Sequence, residues 1–330
     1  SYRMPPEWAE QDWIWIGFPA AADLWLDDLA PAQEQVAAFA NAIAETGQEV
    51  RLVVADEASE AAARALCHPD MVFERHAYGD IWLRDTGPLV LLDGAGHRAA
   101  QRFGFNGWGG KYLLEHDPEV GAALVHAGAL ADLGQADWVL EGGAVDGDGT
   151  GLVVTTEQCL LNPNRNPQLT KADIAMRLER DLGFDKVLWL GDGLLGDHTD
   201  GHVDNLARFV AAGHLAIPRA VEDDDPNAAT FDDAAARAAA MGLTVSRIPS
   251  PGLMGDDDDV EPASYMNFVI ANRVVVVPLY GSPQDEAAIM AIADLFPGHD
   301  IVGLMADAVL TGGGSFHCCS QHVPRVHLVL

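Results

Sequence analysis

The chain has 330 residues, about half of them hydrophobic and about a fifth charged, enough for a large globular core. Fifty Asp and Glu face nineteen Lys and Arg, a formal net charge of −31. Such a surface repels nucleic acid and anionic membranes, so neither is expected as a partner, and it draws small cations toward itself.

The four cysteines, Cys67, Cys159, Cys318 and Cys319, include no CxxC pair and are too sparse for a disulfide scaffold. No charged-then-apolar leader and no apolar run long enough to cross a bilayer is read. The expectation is a reducing, cytoplasmic setting.

Helical and strand patterns alternate along the chain. Pro31 to Gly47 reads as a helix, with Pro31 in its first turn, Val36, Phe39 and Ile43 on one face and Gly47 at the cap. A strand follows over Glu49–Ala55. Thr170 to Gly183 is a second helix, opened by a capping box of Thr170 and Asp173. Leu188–Leu190 reads as a strand, Phe231 to Gly242 as a helix and Leu243–Ile248 as a strand. Arg273–Leu279 is a buried strand, followed by a helix near Ala287–Phe296 and a strand at Ile301–Leu304. The acidic stretches Glu222–Asp225 and Asp256–Asp259 read as solvated loops; the latter lacks the spacing of a calcium loop. The fold class is α/β.

Five segments are dense in chemically able residues: Asp80–Pro88, Leu140–Gly143, Asp197–Asn205, Ser264–Phe268 and Gly312–Gln321. Asp85, Glu141, the pair His202 and Asp204, Asn267 and Cys318 follow one another at intervals of 51 to 63 residues. Each interval holds one strand–helix–strand unit. Similar units around an axis, each donating a loop to a central site, would give this spacing; a doubly wound sheet also fits the alternation.

Three glycines precede the Ser-Phe-His-Cys stretch, so the backbone there can turn sharply and expose the Cys318 thiolate. A lone cysteine is more often buried structure, but the polar neighbours His317, Ser320 and Gln321 speak against that. Cys319 would point to the opposite face of an extended segment and takes the structural role. His202 and Asp204 are two apart, so a strand would place them on one face, where the imidazole can move protons beside a carboxylate. The run Asp197, His198, Asp200, His202, Asp204 also resembles a metal-rich segment, and Asp197 and Thr199 suit a turn. Trp82 stands three residues before Asp85. An aromatic face packs on a planar cation, and paired carboxylates such as Asp85 and Asp204 bind a guanidinium. An ordinary Arg84–Asp85 ion pair is the plainer reading. Glu141 could orient His202 or satisfy buried amides.

The segments WLRDTGP, FNGWGGKY, LEGG, TTEQCLLNPNRNP, TDGHVDN, SYMNF and GGGSFHC resemble those of the agmatine deiminases and the related bacterial peptidylarginine deiminases. The likeness runs from Met4 to Gln321. It implies a single catalytic domain over residues 1–330, built as a pentein, a five-module pseudo-fivefold α/β propeller with a central active-site pocket. It implies Cys318 as nucleophile, His202 as general acid and base, Asp85 and Asp204 as guanidinium-binding carboxylates, and Glu141 as support for the histidine. Trp82 and Asn267 match pocket-lining positions. It implies a small cationic guanidine substrate, no metal or organic cofactor, a homodimer and a place in putrescine and polyamine synthesis.

Three features depart from the usual agmatine deiminase pattern: Ser315 and Cys319 around the nucleophile, and His198 where more acid is usual. They bear on the far end of the substrate. The expected activity is agmatine hydrolysis. Free arginine or peptidyl-arginine as substrate, and a non-catalytic cation-binding protein on the same fold, are the competing readings.

Overall fold

The computed structural model describes residues 1–326. Five sheets repeat one plan. In each, a first strand runs antiparallel to a second, a helix crosses over, and a third strand lies parallel to the second. The second unit has strands Leu89–Asp93, Arg98–Gly104 and Ala131–Val139 around helix Val120–Ala127. The third has Asp146–Gly147, Leu152–Thr156 and Lys186–Leu190 around helix Lys171–Leu182. The fourth has Arg208–Ala211, His214–Arg219 and Thr244–Pro249 around helix Ala228–Ala240. The fifth has Val269–Ile270, Val274–Leu279 and Asp300–Met305 around helix Asp285–Ala293.

The first unit is built from both ends of the described chain. Its first strand is Ser320–Pro324, which pairs antiparallel with Gln11–Gly17. Helix Leu29–Ala44 then crosses to the parallel strand Glu49–Val54, and Val72–Arg75 adds an edge.

Local chemistry explains much of this. Thr170 and Asp173 cap their helix reciprocally, and Gly183 ends it at φ +77°, a conformation that costs glycine little. The helix read from Pro31 begins two residues earlier, at Leu29; Pro31 still falls where no helical N–H partner is required. Val274, Val275, Val276 and Val277 are all buried, as befits a strand covered on both faces.

A short turn precedes the first strand of each unit: Leu83–Thr86, Gly142–Ala144, Val203–Asn205, Tyr265–Asn267, and the residues 316–319. Each turn is bonded to the next. Gly143 N donates to Asp85 Oδ1 at 3.0 Å, and His202 Nε2 lies 3.2 Å from Glu141 Oε1. Asn267 Nδ2 donates to Asn205 Oδ1 at 2.9 Å, Cys318 N to Asn267 Oδ1 at 3.2 Å, and Arg84 N to Cys318 O at 3.0 Å. The chain of bonds closes on itself, so the units form a ring and not a doubly wound sheet.

Two local expectations are corrected. His202 and Asp204 sit on a 3₁₀ turn, not a strand, and Cys318 and Cys319 lie in a turn, not an extended segment. The acidic stretches also differ from each other. Asp256–Asp259 forms an exposed two-strand hairpin with its neighbours, whereas Asp225 is buried and accepts bonds from Ser250 Oγ and Asn227 N. Among the described residues no helix is long and apolar enough to cross a membrane.

Candidate active site

The ring of turns brings Asp85, Glu141, His202, Asp204, Asn267 and Cys318 to one place. Gly143 measures how tightly. A Cβ there would stand 2.6 Å from His202 Nδ1, 3.0 Å from Asp85 Oδ1 and 3.1 Å from Asp204 Oδ2. Only glycine lets these three groups converge. Gly314 does the same on the sulfur side, where a Cβ would meet Trp82 at 2.6 Å and Cys318 Cβ at 3.0 Å.

A cavity of about 220 Å³ opens onto this centre. Asp85, Trp82, Trp108 and Cys318 line its inner part, and Leu24, Tyr112, Leu114, His198 and Thr311 are also in its wall. Cys319 is not part of the wall: it is fully buried, and its thiol contacts the Phe316 carbonyl. The two cysteines therefore differ by which side of the turn they occupy.

Cys318 Sγ accepts from Asn267 Nδ2 at 3.3 Å and lies 3.7 Å from Asp204 Oδ2. Burial pushes its thiol well above the usual range, and the charges of Asp204 and Asp85 push it further. Asn267 is fully buried behind the sulfur and is not in the cavity wall. Its amide holds the cysteine turn by accepting from both His317 N and Cys318 N.

Asp85 Oδ2 accepts from Trp108 Nε1 at 2.8 Å. Burial raises this carboxyl to about 6, with the His202 charge opposing and the charges of Glu141 and Asp204 adding. The plainer reading of Arg84–Asp85 as an ion pair does not hold. Arg84 turns away and donates to His317 O and Gln321 Oε1.

Asp204 has one oxygen, Oδ2, bonded to His317 Nδ1 at 2.8 Å; its Oδ1 is buried with no donor in reach. His202 Nδ1 is likewise buried and unbonded, 3.8 Å from Asp85 Oδ2. Burial disfavours a charged His202, but the Asp85 charge and the Glu141 contact outweigh it and hold the ring well above its ordinary value. Glu141 is held down at about 2 against burial by the His202 bond and the Arg165 charge.

Glu141, Cys159 and His202 bring possible metal-ligating atoms within 4.8 Å of one another. The set suits a metal poorly. Arg165 already places its cation on both Glu141 oxygens, at 2.9 and 3.0 Å from Nε and 2.6 Å from Nη2, and burial pushes the Cys159 thiol up. The metal-rich look of residues 197–204 dissolves for the same kind of reason. Asp197 accepts from Thr199, and Asp200 binds Lys111 and Arg165.

The profile of the Porphyromonas-type peptidyl-arginine deiminase family matches residues 3–324. The chain belongs to this family. It is 36% identical to an agmatine deiminase of Stutzerimonas stutzeri, covering 98% of this chain and 96% of that one. It superposes on an agmatine deiminase of Enterococcus faecalis with a TM-score of 0.92 at 32% identity, covering 99% and 96% of the two chains. It also matches a C. jejuni agmatine deiminase with substrate bound, at a TM-score of 0.91 and 27% identity over 99% and 97% of the chains.

Three residues at the site stand in segments singled out from the sequence but receive no role of their own there. Trp108 holds Asp85 from a left-handed backbone at φ +56°, a strained conformation for a bulky residue. Its flanking glycines, in Gly107-Trp-Gly-Gly110, were the available signal. Arg165 fixes Glu141; it stands in the family-like segment TTEQCLLNPNRNP, an arginine amid turn-forming Asn and Pro. Asp80 accepts from the indoles of Trp82 at 2.9 Å and Trp25 at 3.1 Å, so it sets two rings of the wall, and burial raises it to about 7.

Proposed function

We propose that this protein is an agmatine deiminase, hydrolysing the guanidinium of agmatine to N-carbamoylputrescine and ammonia. The observation that carries the reading is the Asp204 carboxylate: buried, ionised, adjacent to Cys318, and with one oxygen lacking a donor. A planar guanidinium supplies such donors in pairs.

Asp85 and Asp204 hold the cation over Cys318, with Trp82 beside it in the wall. The bound positive charge offsets the two carboxylates and favours loss of the thiol proton, which the buried sulfur otherwise retains. The thiolate attacks the guanidinium carbon. His202, charged and oriented by Glu141, protonates the departing nitrogen, and the C–N bond breaks to release ammonia. A covalent amidino-cysteine remains. Water then attacks the same carbon and gives one proton to His202; the C–S bond breaks to free the thiolate, and the second proton passes to the released ammonia or to solvent, leaving the neutral ureido product. Asn267 holds the sulfur's turn and donates to the sulfur. The reaction needs no metal or organic cofactor.

Agmatine is favoured over free arginine because, among the described residues, no Lys or Arg lines the cavity to hold an arginine carboxylate. The whole chain is read as one catalytic domain. The family likeness suggests a homodimer and a role in putrescine synthesis, and the four free thiols suit the reducing cytoplasm. The test is direct. Incubated with agmatine, arginine and an arginine peptide, the protein should release ammonia and ureido product fastest from agmatine. Cys318→Ala should abolish turnover and Cys319→Ala retain most of it. Fast turnover of another guanidine with none of agmatine would sink the substrate assignment, and equal loss in the two variants would sink the nucleophile.

A further inference from the structure

A buried ionic group stands behind Asp204, and the reaction above does not use it. Its centre is His317, whose Nδ1 lies 2.8 Å from Asp204 Oδ2 and whose Nε2 lies 2.7 Å from Glu7 Oε1. His317 is 3% exposed and does not line the cavity. Glu7 comes from the opening Pro-Pro-Glu-Trp stretch, 310 residues away in sequence. It is pinned in turn: Oε2 accepts from Arg208 Nη2 at 2.9 Å and from Ile270 N at 2.7 Å. The order is therefore Arg208 and Ile270, Glu7, His317, Asp204, Cys318, each in contact with the next.

This arrangement has a specific consequence for Asp204. A bond from His317 to Oδ2 fixes the rotation of the carboxylate, with Oδ2 3.7 Å from Cys318 Sγ and Oδ1 buried without a donor. It also opposes burial, which would otherwise drive the carboxyl toward its neutral form; the His317 bond and charge hold it below its ordinary range. A neutral or misturned Asp204 could not receive a guanidinium. An imidazole suits the place because it offers two ring nitrogens on opposite sides, and both meet carboxylates here.

We propose that His317, anchored by Glu7, is the positioning residue that keeps Asp204 charged and turned for the guanidinium; this rests on reading Asp204 as a guanidinium-binding carboxylate. The opening segment thereby becomes part of the substrate site without touching substrate.

Two replacements separate this from simple packing. An asparagine amide can reach where Nδ1 stands, and a glutamine amide where Nε2 stands. In a Cys318→Ala background, agmatine binding is measured by calorimetry alongside the thermal midpoint. His317→Gln should weaken binding about tenfold or more, as expected for losing a hydrogen bond to a charged group. His317→Asn, which keeps the Asp204 bond, should weaken it about threefold. With Cys318 restored, the loss should appear in KM more than in kcat. Equal losses from the two variants, following their thermal midpoints, would overturn the proposal. Asp204→Asn is the control on the underlying reading. If it binds agmatine as tightly as its parent, the carboxylate clamp itself is wrong. If it loses binding while His317→Gln does not, the clamp stands and the positioning role falls. Should the His317 variants fail to fold, Glu7→Gln decides: binding weakened about fivefold supports the anchor, and unchanged binding refutes it.

Discussion

The inner end of the cavity and its mouth are built on different terms. Behind the inner end, outside the cavity wall itself, Asp204 and Glu141 are fully buried and His202 is 1% exposed. Every such group has neighbours that fix its rotation and charge, and those neighbours are themselves held. At the mouth, Leu24 and Tyr112 are 43% and 41% exposed, and Tyr112 and His198 share a hydrogen bond with their rings stacked. The difference teaches where specificity is rigid. The guanidinium end is overdetermined and admits one geometry, whereas the tail end rests on a few half-exposed side chains that substitution can alter.

The contrast can be broken at several points. Asp85→Asn should cost the most, lowering kcat/KM about a hundredfold to a thousandfold, because a buried charge loses its partner; a loss under tenfold would mean that the inner end is less rigid than described. Arg165→Met should come next, leaving Glu141 with the histidine as its main support. Unfolding in denaturant should show a stability loss of about 3–5 kcal/mol, and a near-neutral result would remove Arg165 from the supporting shell.

The pH profile gives a finer test. Asp85 must be ionised to hold the cation and sits at about 6, so kcat/KM should fall below pH 6 as the carboxyl takes up a proton. Trp108→Phe removes a donor that favours the ionised form. The acid limb should therefore move to higher pH, with a loss of about threefold to tenfold near neutrality; a limb that stays put would exclude Asp85 as its source. The smallest effect belongs to the mouth. Tyr112→Phe should change agmatine kcat/KM by less than about threefold, since one exposed bond is lost. A thirtyfold loss would erase the distinction between the two ends.

The parts of the fold that sequence reasoning reached are those with local causes. The helix at Lys171–Leu182 carries its own caps, and Val274–Leu279 its own apolar run, so both are readable within a dozen residues. In the residues themselves the ring showed only as an interval between candidates; the family likeness of the motifs supplied its architecture. At Val203–Asn205 the His-x-Asp spacing left a strand and a turn both open; the structure shows a 3₁₀ turn, set by the ring rather than by the local sequence. The candidate acids, histidine and cysteine were found because each is an unusual residue type beside glycines. Their partners were not. Trp108, Arg165 and Glu7 act across 23, 24 and 310 residues respectively, and no local pattern encodes such pairings.

The strand Ser320–Pro324 pairs with Gln11–Gly17, and Cys318 sits at its entrance. The thiol therefore joins its partners only when two segments some 300 residues apart zip together. A ribosome making this protein must release the strand Ser320–Pro324 before any copy can act, so a shorter growing chain carries no assembled thiol site. Closing so long a loop is also slow relative to forming the four locally contiguous units. Activity should accordingly be the last property to return on refolding, after the helices and the other sheets are in place.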